Sequence, residues 1–329
     1  MSLRLHAGLC LIAATLVACG ESPRPGAAPV VVTPSPAPAP APSMPPAPAV
    51  RETVLKSDRI GESSGLARSQ RDANVLWTHN DSGGNAEGFA IDTEGNLLGT
   101  LALQGGNTGG TPITALAIDW EDMASFTRDG QPYLLFADIG DNNAVRPNLT
   151  LYVVAEPDLA ALPKPFALTV TPVQVISASY PDGPRDAEGL AVNGEANLFY
   201  LLSKRDAQPA LYSGSLGIAP LGAVVMSRLG AINIPRAAAG APNADSFNFT
   251  TAMDFNPALD AALVLTYTDA YRYPRRASES WFEAFSRAPE RIVVPQYSQS
   301  EALTFASNGA RLFMTSENAP FPLAEVPLP

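Results

Sequence analysis

Five short segments of the chain carry an oxygen-bearing side chain with an apolar one two residues on: Ser64 and Leu66, Glu121 and Met123, Glu188 and Leu190, Thr251 and Met253, Glu301 and Leu303. Three carboxylates and two hydroxyls drawn into a narrow ring have an electrostatic problem, because like charges a few ångströms apart raise one another's pKa or recruit a cation. The set offers oxygen donors only, without histidine or thiol, and such a hard set selects Ca²⁺ over zinc or copper. Ser64, Glu121, Glu188, Thr251 and Glu301 are therefore candidate metal ligands. The alternative is a water-filled channel lined by solvated carboxylates.

A ring needs a fold that repeats. Each copy is followed by a second apolar strand that ends in polar residues. Residues 75–77 run into His79, Asn80 and Asp81, residues 133–136 into Asp138 and Asp141, and residues 198–202 into Lys204, Arg205 and Asp206. Residues 263–265 run into Thr268 and Asp269, and residues 312–314 into Ser316, Glu317 and Asn318. A third, shorter strand follows, as at residues 150–154 and 210–213. The copies start about 50 to 67 residues apart, in the period range of propellers and solenoids. Short alternating strands with turns between them favour the propeller.

The expected fold is all-β: a single β-propeller of five blades, with six as the alternative. Blade one would span residues 63–103, blade two residues 121–176 by way of Leu168, blade three residues 188–232 and blade four residues 251–297. The last copy, residues 301–328, supplies three strands, and residues 52–56 are expected to add the fourth and close the ring. Closure removes open sheet edges. Residues 277–289 suit a helical turn as well as a strand, and residues 234–246 read as a long loop.

In a propeller the first strand of each blade lines the axis and the second runs antiparallel to it, so the starts of the one and the ends of the other share a face. That face gathers the metal candidates, encircled by Asp81, Asp138, Asp141, Lys204, Arg205, Asp269 and Glu317. Of these, Asp141, Lys204, Arg205, Asp269 and Glu317 are candidate ligand-binding residues. Lys204 and Arg205 form an adjacent cationic pair that could clamp a phosphate or carboxylate, or else bridge to Asp186 or Asp206. His79, Asp81 and Asp138 are the catalytic candidates: the imidazole as general base or structural histidine, the acids as activators of water beside a metal. The stretch from Asp138 to Asn143 suits a second Ca²⁺ or a tight Asx turn. Gly61, Ser63 and Gly65 fit the Gly-x-Ser-x-Gly pattern, but a strand follows where a nucleophile elbow requires a helix. Trp77, Trp120 and Trp281 read as blade packing, with Trp120 close enough to the ring to line a pocket.

Residues 1–18 combine Arg4, an apolar run too short to span a bilayer, and small residues before Cys19, which together make a secretory signal. Leu16, Val17, Ala18 and Cys19 resemble a bacterial lipobox. That resemblance implies a lipidated Cys19 and an exported protein held on a lipid bilayer of the cell envelope, the outer membrane if the host is Gram-negative. Cys10 leaves with the signal, so the folded region has neither a disulfide nor a thiolate-bound metal. Residues 19–50 form a Pro/Ala-rich linker, and at about 3.1 Å per residue an extended polyproline stretch of this length reaches roughly 90 Å. The propeller then occupies residues 51–329. A net charge of −11 without any basic run makes nucleic acid and anionic membrane surfaces poor candidate partners.

The column Ser64, Glu121, Glu188, Thr251 and Glu301 resembles the serine/glutamate ring that holds an axial calcium in soluble calcium-activated nucleotidases, which are five-bladed propellers. Thr251 stands where that pattern has a serine. The flanking text around Ser63, His79, Asp119 and Asp138 resembles exported bacterial β-propeller lipoproteins of unassigned activity, over most of the globular region. Glu188, Gly189, Leu190 and Ala191 are similar to a phrase of phytase-like esterase propellers. These resemblances imply an axial Ca²⁺. Two roles follow as expectations: a propeller that binds a ligand or envelope protein at the acidic face, or a Ca²⁺-dependent hydrolase of phosphoesters or esters. Likeness of fold does not carry activity across.

Overall fold

The structure, a computed structural model, describes residues 49–104, 107–108, 111–112, 114–237, 244 and 246–329. The expected signal, Cys19 and nearly all of the linker lie outside the described residues.

Each repeat folds as an antiparallel meander that starts at the axis. The first blade is Ser63–Arg68, Val75–Asn80, Glu87–Asp92 and Leu97–Leu103. The second is Trp120–Arg128, Gln131–Asp138, Leu149–Ala155 and Gln174–Ser179, and the third Ala187–Asn193, Leu198–Ser203, Ala210–Ser215 and Ser227–Ala231. The fourth is Thr250–Phe255, Ala261–Thr266, Ala270–Pro274 and Glu290–Ile292. The fifth is Ser300–Phe305, Arg311–Ser316 and Pro322–Pro327, completed by Arg51–Val54 from the start of the described chain. The innermost strands adjoin in cyclic order, first to fifth and back to first. The protein is a five-bladed β-propeller.

The core is a set of apolar seams, one between each pair of neighbouring blades. Leu66 and Phe89 of the first blade meet Phe313 and Leu323 of the fifth, while Trp77 and Leu101 meet Phe136 and Tyr152 of the second. Successive side chains of one strand thus face opposite neighbours. Both faces of a blade must be apolar, and for that reason the inner strands Ser63–Arg68, Thr250–Phe255 and Ser300–Phe305 are buried throughout.

The ring closes as expected, with Arg51 opposite Glu325 and Val54 opposite Pro322 in an antiparallel pairing. Two strand assignments change. Phe166–Val170, which contains Leu168, pairs parallel with Leu97–Leu103 of the first blade rather than extending the second. Leu221–Val225, expected within blade three, pairs parallel with Gln174–Ser179 of the second blade. In the fourth repeat the corresponding insertion is the helix Trp281–Phe285, whose Ser280 cap and Glu283 satisfy each other's backbone N–H groups. This helix lies against the third blade, where the Asn233 N–H donates to the Phe285 carbonyl at 2.8 Å. In three successive repeats, therefore, the segment between the third and fourth strands covers the edge of the preceding blade. A short apolar run reads as a strand whichever sheet it joins, so the sequence pattern could not show this. The described part of residues 234–246 is without strand or helix, and the rest of that expected loop lies outside the described residues.

Candidate functional site

In every inner strand the ladder slips by one residue at the same place. The skipped residues are Ser64, Glu121, Glu188, Thr251 and Glu301. A bulge turns the extra side chain out of the regular alternation. Here it brings ring carboxylates into range of one another: burial first and then Glu188 raise the pKa of Glu121, and burial raises that of Glu188, with Lys204 opposing and Glu301 adding to the shift.

Glu121, Glu188 and Glu301 are 6%, 4% and 4% exposed, so the ring carboxylates are buried. The two hydroxyls hold blades together, Ser64 Oγ donating to the Glu121 carbonyl at 3.0 Å and Thr251 Oγ1 to the Ser300 carbonyl at 2.8 Å. Lys204, expected among the encircling residues, turns inward instead and is 3% exposed. Its Nζ pairs with Glu188 Oε2 and lies 4.9 Å from the centroid of the Tyr267 ring. Burial alone would lower the lysine pKa, but the charges of Glu188 and Glu301 outweigh it and the net shift is upward. Lys204 is thus an ammonium built into the ring, and it serves the Glu188 and Glu301 side.

The Glu121 side makes no such ion pair among the described residues, although the Lys204 charge also pulls the Glu121 and Asp81 carboxyls down somewhat. Carboxylate oxygens of Asp81, Asp119 and Glu121 lie within 4.8 Å of one another, as do those of Glu121, Asp186 and Glu188. In the second trio Glu188 has the lysine, and Asp186 accepts from Asp141 N–H at 2.9 Å and Arg205 Nε at 2.6 Å. The first trio makes no ion pair among the described residues. Burial, then Glu188 and Asp81, push the Glu121 carboxyl well above its usual range. Burial, then Glu317, Asp119 and Glu62, push Asp81 to about 7, and its Oδ1 is buried without a partner. Asp119 is also raised, by burial first and then by Asp186. A Cβ on Gly140 would stand 2.3 Å from Glu121 Oε1 and 2.4 Å from Asp119 Oδ2, so only glycine leaves these oxygens room. An oxygen-only donor set, an orphaned buried oxygen and a glycine cradle fit a hard cation such as Ca²⁺. Asp81, Asp119 and Glu121 are the residues that would hold it.

The other expected residues are spread around this centre. Asp138 is wholly buried; it accepts from the N–H groups of Ile118 and Asp119 at 3.3 and 3.2 Å and pairs with Arg146 at 2.7 Å, and so fixes the segment that carries Asp119. Asp141 accepts from the N–H groups of Val145 and Arg146, four and five residues on, so its carboxylate ties down the loop that follows rather than closing an Asx turn within residues 138–143. Arg205 bridges to Asp186, Asp269 to Arg291, and Glu317 accepts from Gln299 Nε2 at 2.9 Å. His79 is fully buried edge-on to Trp120 at 5.4 Å, its Nδ1 donating to the Asn80 carbonyl. Burial lowers its pKa to about 4, so it is a neutral packing histidine rather than a base at the mouth. Trp120 is likewise fully buried, packed against His79, Phe136 and Tyr152. The Ser63 hydroxyl is engaged with Thr78 and Thr315, both at 2.8 Å, and not with a histidine. Cys19 lies outside the described residues.

Sequence reasoning passed over Asp122, the residue after the bulge. The corresponding positions are Gly65, Asp122, Gly189, Ala252 and Ala302. Four small residues leave space on the axis for one carboxylate, which accepts from Leu190 N–H of the third blade at 2.8 Å and Met253 N–H of the fourth at 3.2 Å. The signal was available: one charged residue in a column of glycine and alanine.

The fold and site together define a five-bladed propeller with a buried acidic mouth. No protein family matches the chain, and no curated protein does. Among solved structures it is similar to a gluconolactonase of Xanthomonas campestris described as important in glucose secondary metabolic pathways. That likeness has 14% identity and a TM-score of 0.48, covering 85% of this chain and 90% of that one. It concerns the propeller alone, and no residue role is taken from it.

Proposed function

We propose that this chain is an exported, membrane-tethered propeller that holds a divalent cation of the Ca²⁺ class at Asp81, Asp119 and Glu121 and binds a ligand or envelope partner over that mouth. The observation that carries this reading is the Glu121 carboxylate. It is 6% exposed, crowded by the four carboxylates of Asp81, Asp119, Asp186 and Glu188, and makes no ion pair among the described residues. A buried acid in that position either keeps its proton or takes a cation. When bound, the ion would offer a Lewis-acidic site to an oxygen of the ligand. The Ala49 carbonyl accepts from Arg311 Nη2 at 3.2 Å, and Arg311 begins a strand whose other end, Ser316, is at the mouth. The described residues therefore begin at the rim opposite the acidic mouth.

A second reading, a Ca²⁺-dependent hydrolase of phosphoesters or esters, has one observation in its favour. Asp81 and Asp119 are only partly buried, so a substrate oxygen could reach a cation held between them and Glu121. One experiment addresses both: metal content of the purified protein, with nitrophenyl phosphate and nitrophenyl acetate assayed in Ca²⁺. Stoichiometric metal without turnover supports the binding role. Turnover abolished by Asp81→Asn transfers the assignment to the hydrolase, and a metal-free protein with no Ca²⁺-dependent change in melting removes both.

A further inference from the structure

We infer that the mouth carries an apolar subsite, formed by Leu116, Ile118 and Val145, which seats an alkyl or aryl group of the ligand beside the carboxylate cluster. The segment from Thr114 to Asp119 reverses the usual pattern of burial. Ala115 and Ala117 pack against the first and second blades, while Leu116 and Ile118 stand 51% and 55% exposed. Small residues face in and large aliphatic ones face water. The segment is not loose, because its backbone is pinned at four points. Leu116 N–H donates to Tyr152 Oη at 3.1 Å, the Leu116 carbonyl accepts from Trp120 Nε1 at 3.0 Å, and Ile118 and Asp119 N–H both donate to Asp138. Holding two large aliphatic side chains rigidly in water has no stabilising effect on the fold, and such clustered exposure marks an interaction site.

A second segment brings a third apolar side chain to the same sector. Val145 is 69% exposed in the turn tied to Asp141, and its neighbour Arg146 pairs with Asp138, the same carboxylate that holds Ile118 and Asp119. Asp119 then carries the segment straight into the Asp81, Asp119 and Glu121 trio. The neighbouring surface is thus apolar on one side and acidic on the other. The charge pattern fits an amphipathic small molecule whose polar end is an oxyanion reaching a bound cation. That polar end rests on the proposed metal; the apolar contact does not.

The test is a chain-length series by calorimetry on the purified protein, beside Leu116→Ser/Ile118→Ser. Straight-chain carboxylates from acetate to octanoate are titrated with Ca²⁺ present, and alkylammonium ions from ethyl to octyl with chelator. Expected is a fall in Kd of about two- to fourfold per methylene, the upper figure being about 0.8 kcal/mol for full burial of a CH₂. The double variant should lose this slope while keeping its Ca²⁺ titration. A flat series with both probes, or an equal slope in the variant, overturns the subsite. If the carboxylates are silent and only the alkylammonium series shows a slope that the variant loses, the apolar subsite stands and the metal reading fails.

Discussion

Lys204 forms an ion pair with one side of the mouth, while the Asp81, Asp119 and Glu121 side makes none among the described residues. Its ammonium faces Glu188 and the charge of Glu301, both almost wholly buried. Replacing it by methionine leaves two buried acids without their cation, and removing one partner of a buried pair costs about 3–5 kcal/mol. Urea unfolding of Lys204→Met at pH 7.5 should show a loss of that size, and one below about 1 kcal/mol would mean the pair is not coupled to folding. The other half predicts a pH dependence. Asp81 and Glu121 have raised pKa values, so the folded metal-free protein keeps protons that the unfolded chain releases near pH 4, a value of about 4 being ordinary for carboxyls. Glu188 is raised as well, and Glu301 to about 8, so stability falls as the pH rises from about 4 through about 8. Chelated protein should be more stable at pH 5 than at pH 8, with Ca²⁺ restoring the loss at pH 8; a chelated profile flat over that range would contradict it. The ring column was legible in the sequence because its oxygen chemistry recurs in register. The inward turn of Lys204 was not, since a lysine at a strand end reads as a solvated charge unless the burial around it is known.

At the scale of elements, the bulge shared by all five inner strands makes the site. It occupies the same place in each ladder and lifts one side chain per blade out of the alternation. Sequence periodicity averages over such a slip, so the column could be found but its geometry could not. The turn after the second strand of blade two completes the cradle through Gly140. Gly140→Ala should push the Glu121 and Asp119 carboxylates aside and weaken Ca²⁺ about 10- to 100-fold, the range found for residues supporting metal ligands. Competition with a fluorescent chelator measures it, and unchanged affinity would take the ion away from this pair. The strands that cross to neighbouring blades were misassigned for a related reason: Phe166–Val170 and Leu221–Val225 have ordinary strand composition, and their partners are set by the insertions that carry them.

For the whole molecule, the ring depends on the first described strand. Arg51–Val54 completes the fifth blade, and Arg51 also pairs with Glu94 of the first and Glu325 of the fifth. Removing residues up to 54 would bare the edge of Pro322–Pro327 and invite pairing between molecules. The expected outcome is a loss of about 3 kcal/mol or more with light-scattering aggregates, whereas an unchanged urea midpoint would show that closure is dispensable. This closure was readable from the sequence because the last repeat is one strand short, an accounting that needs no side-chain detail. The account as a whole rests on one claim, that Lys204 serves half of the acidic mouth and a divalent cation the other half. Calorimetric titration of Ca²⁺ into chelator-stripped protein, wild type beside Glu121→Gln, tests it most directly. One ion per chain, lost in the variant, is the predicted result; no binding heat in the wild type, or equal binding in Glu121→Gln, would contradict it.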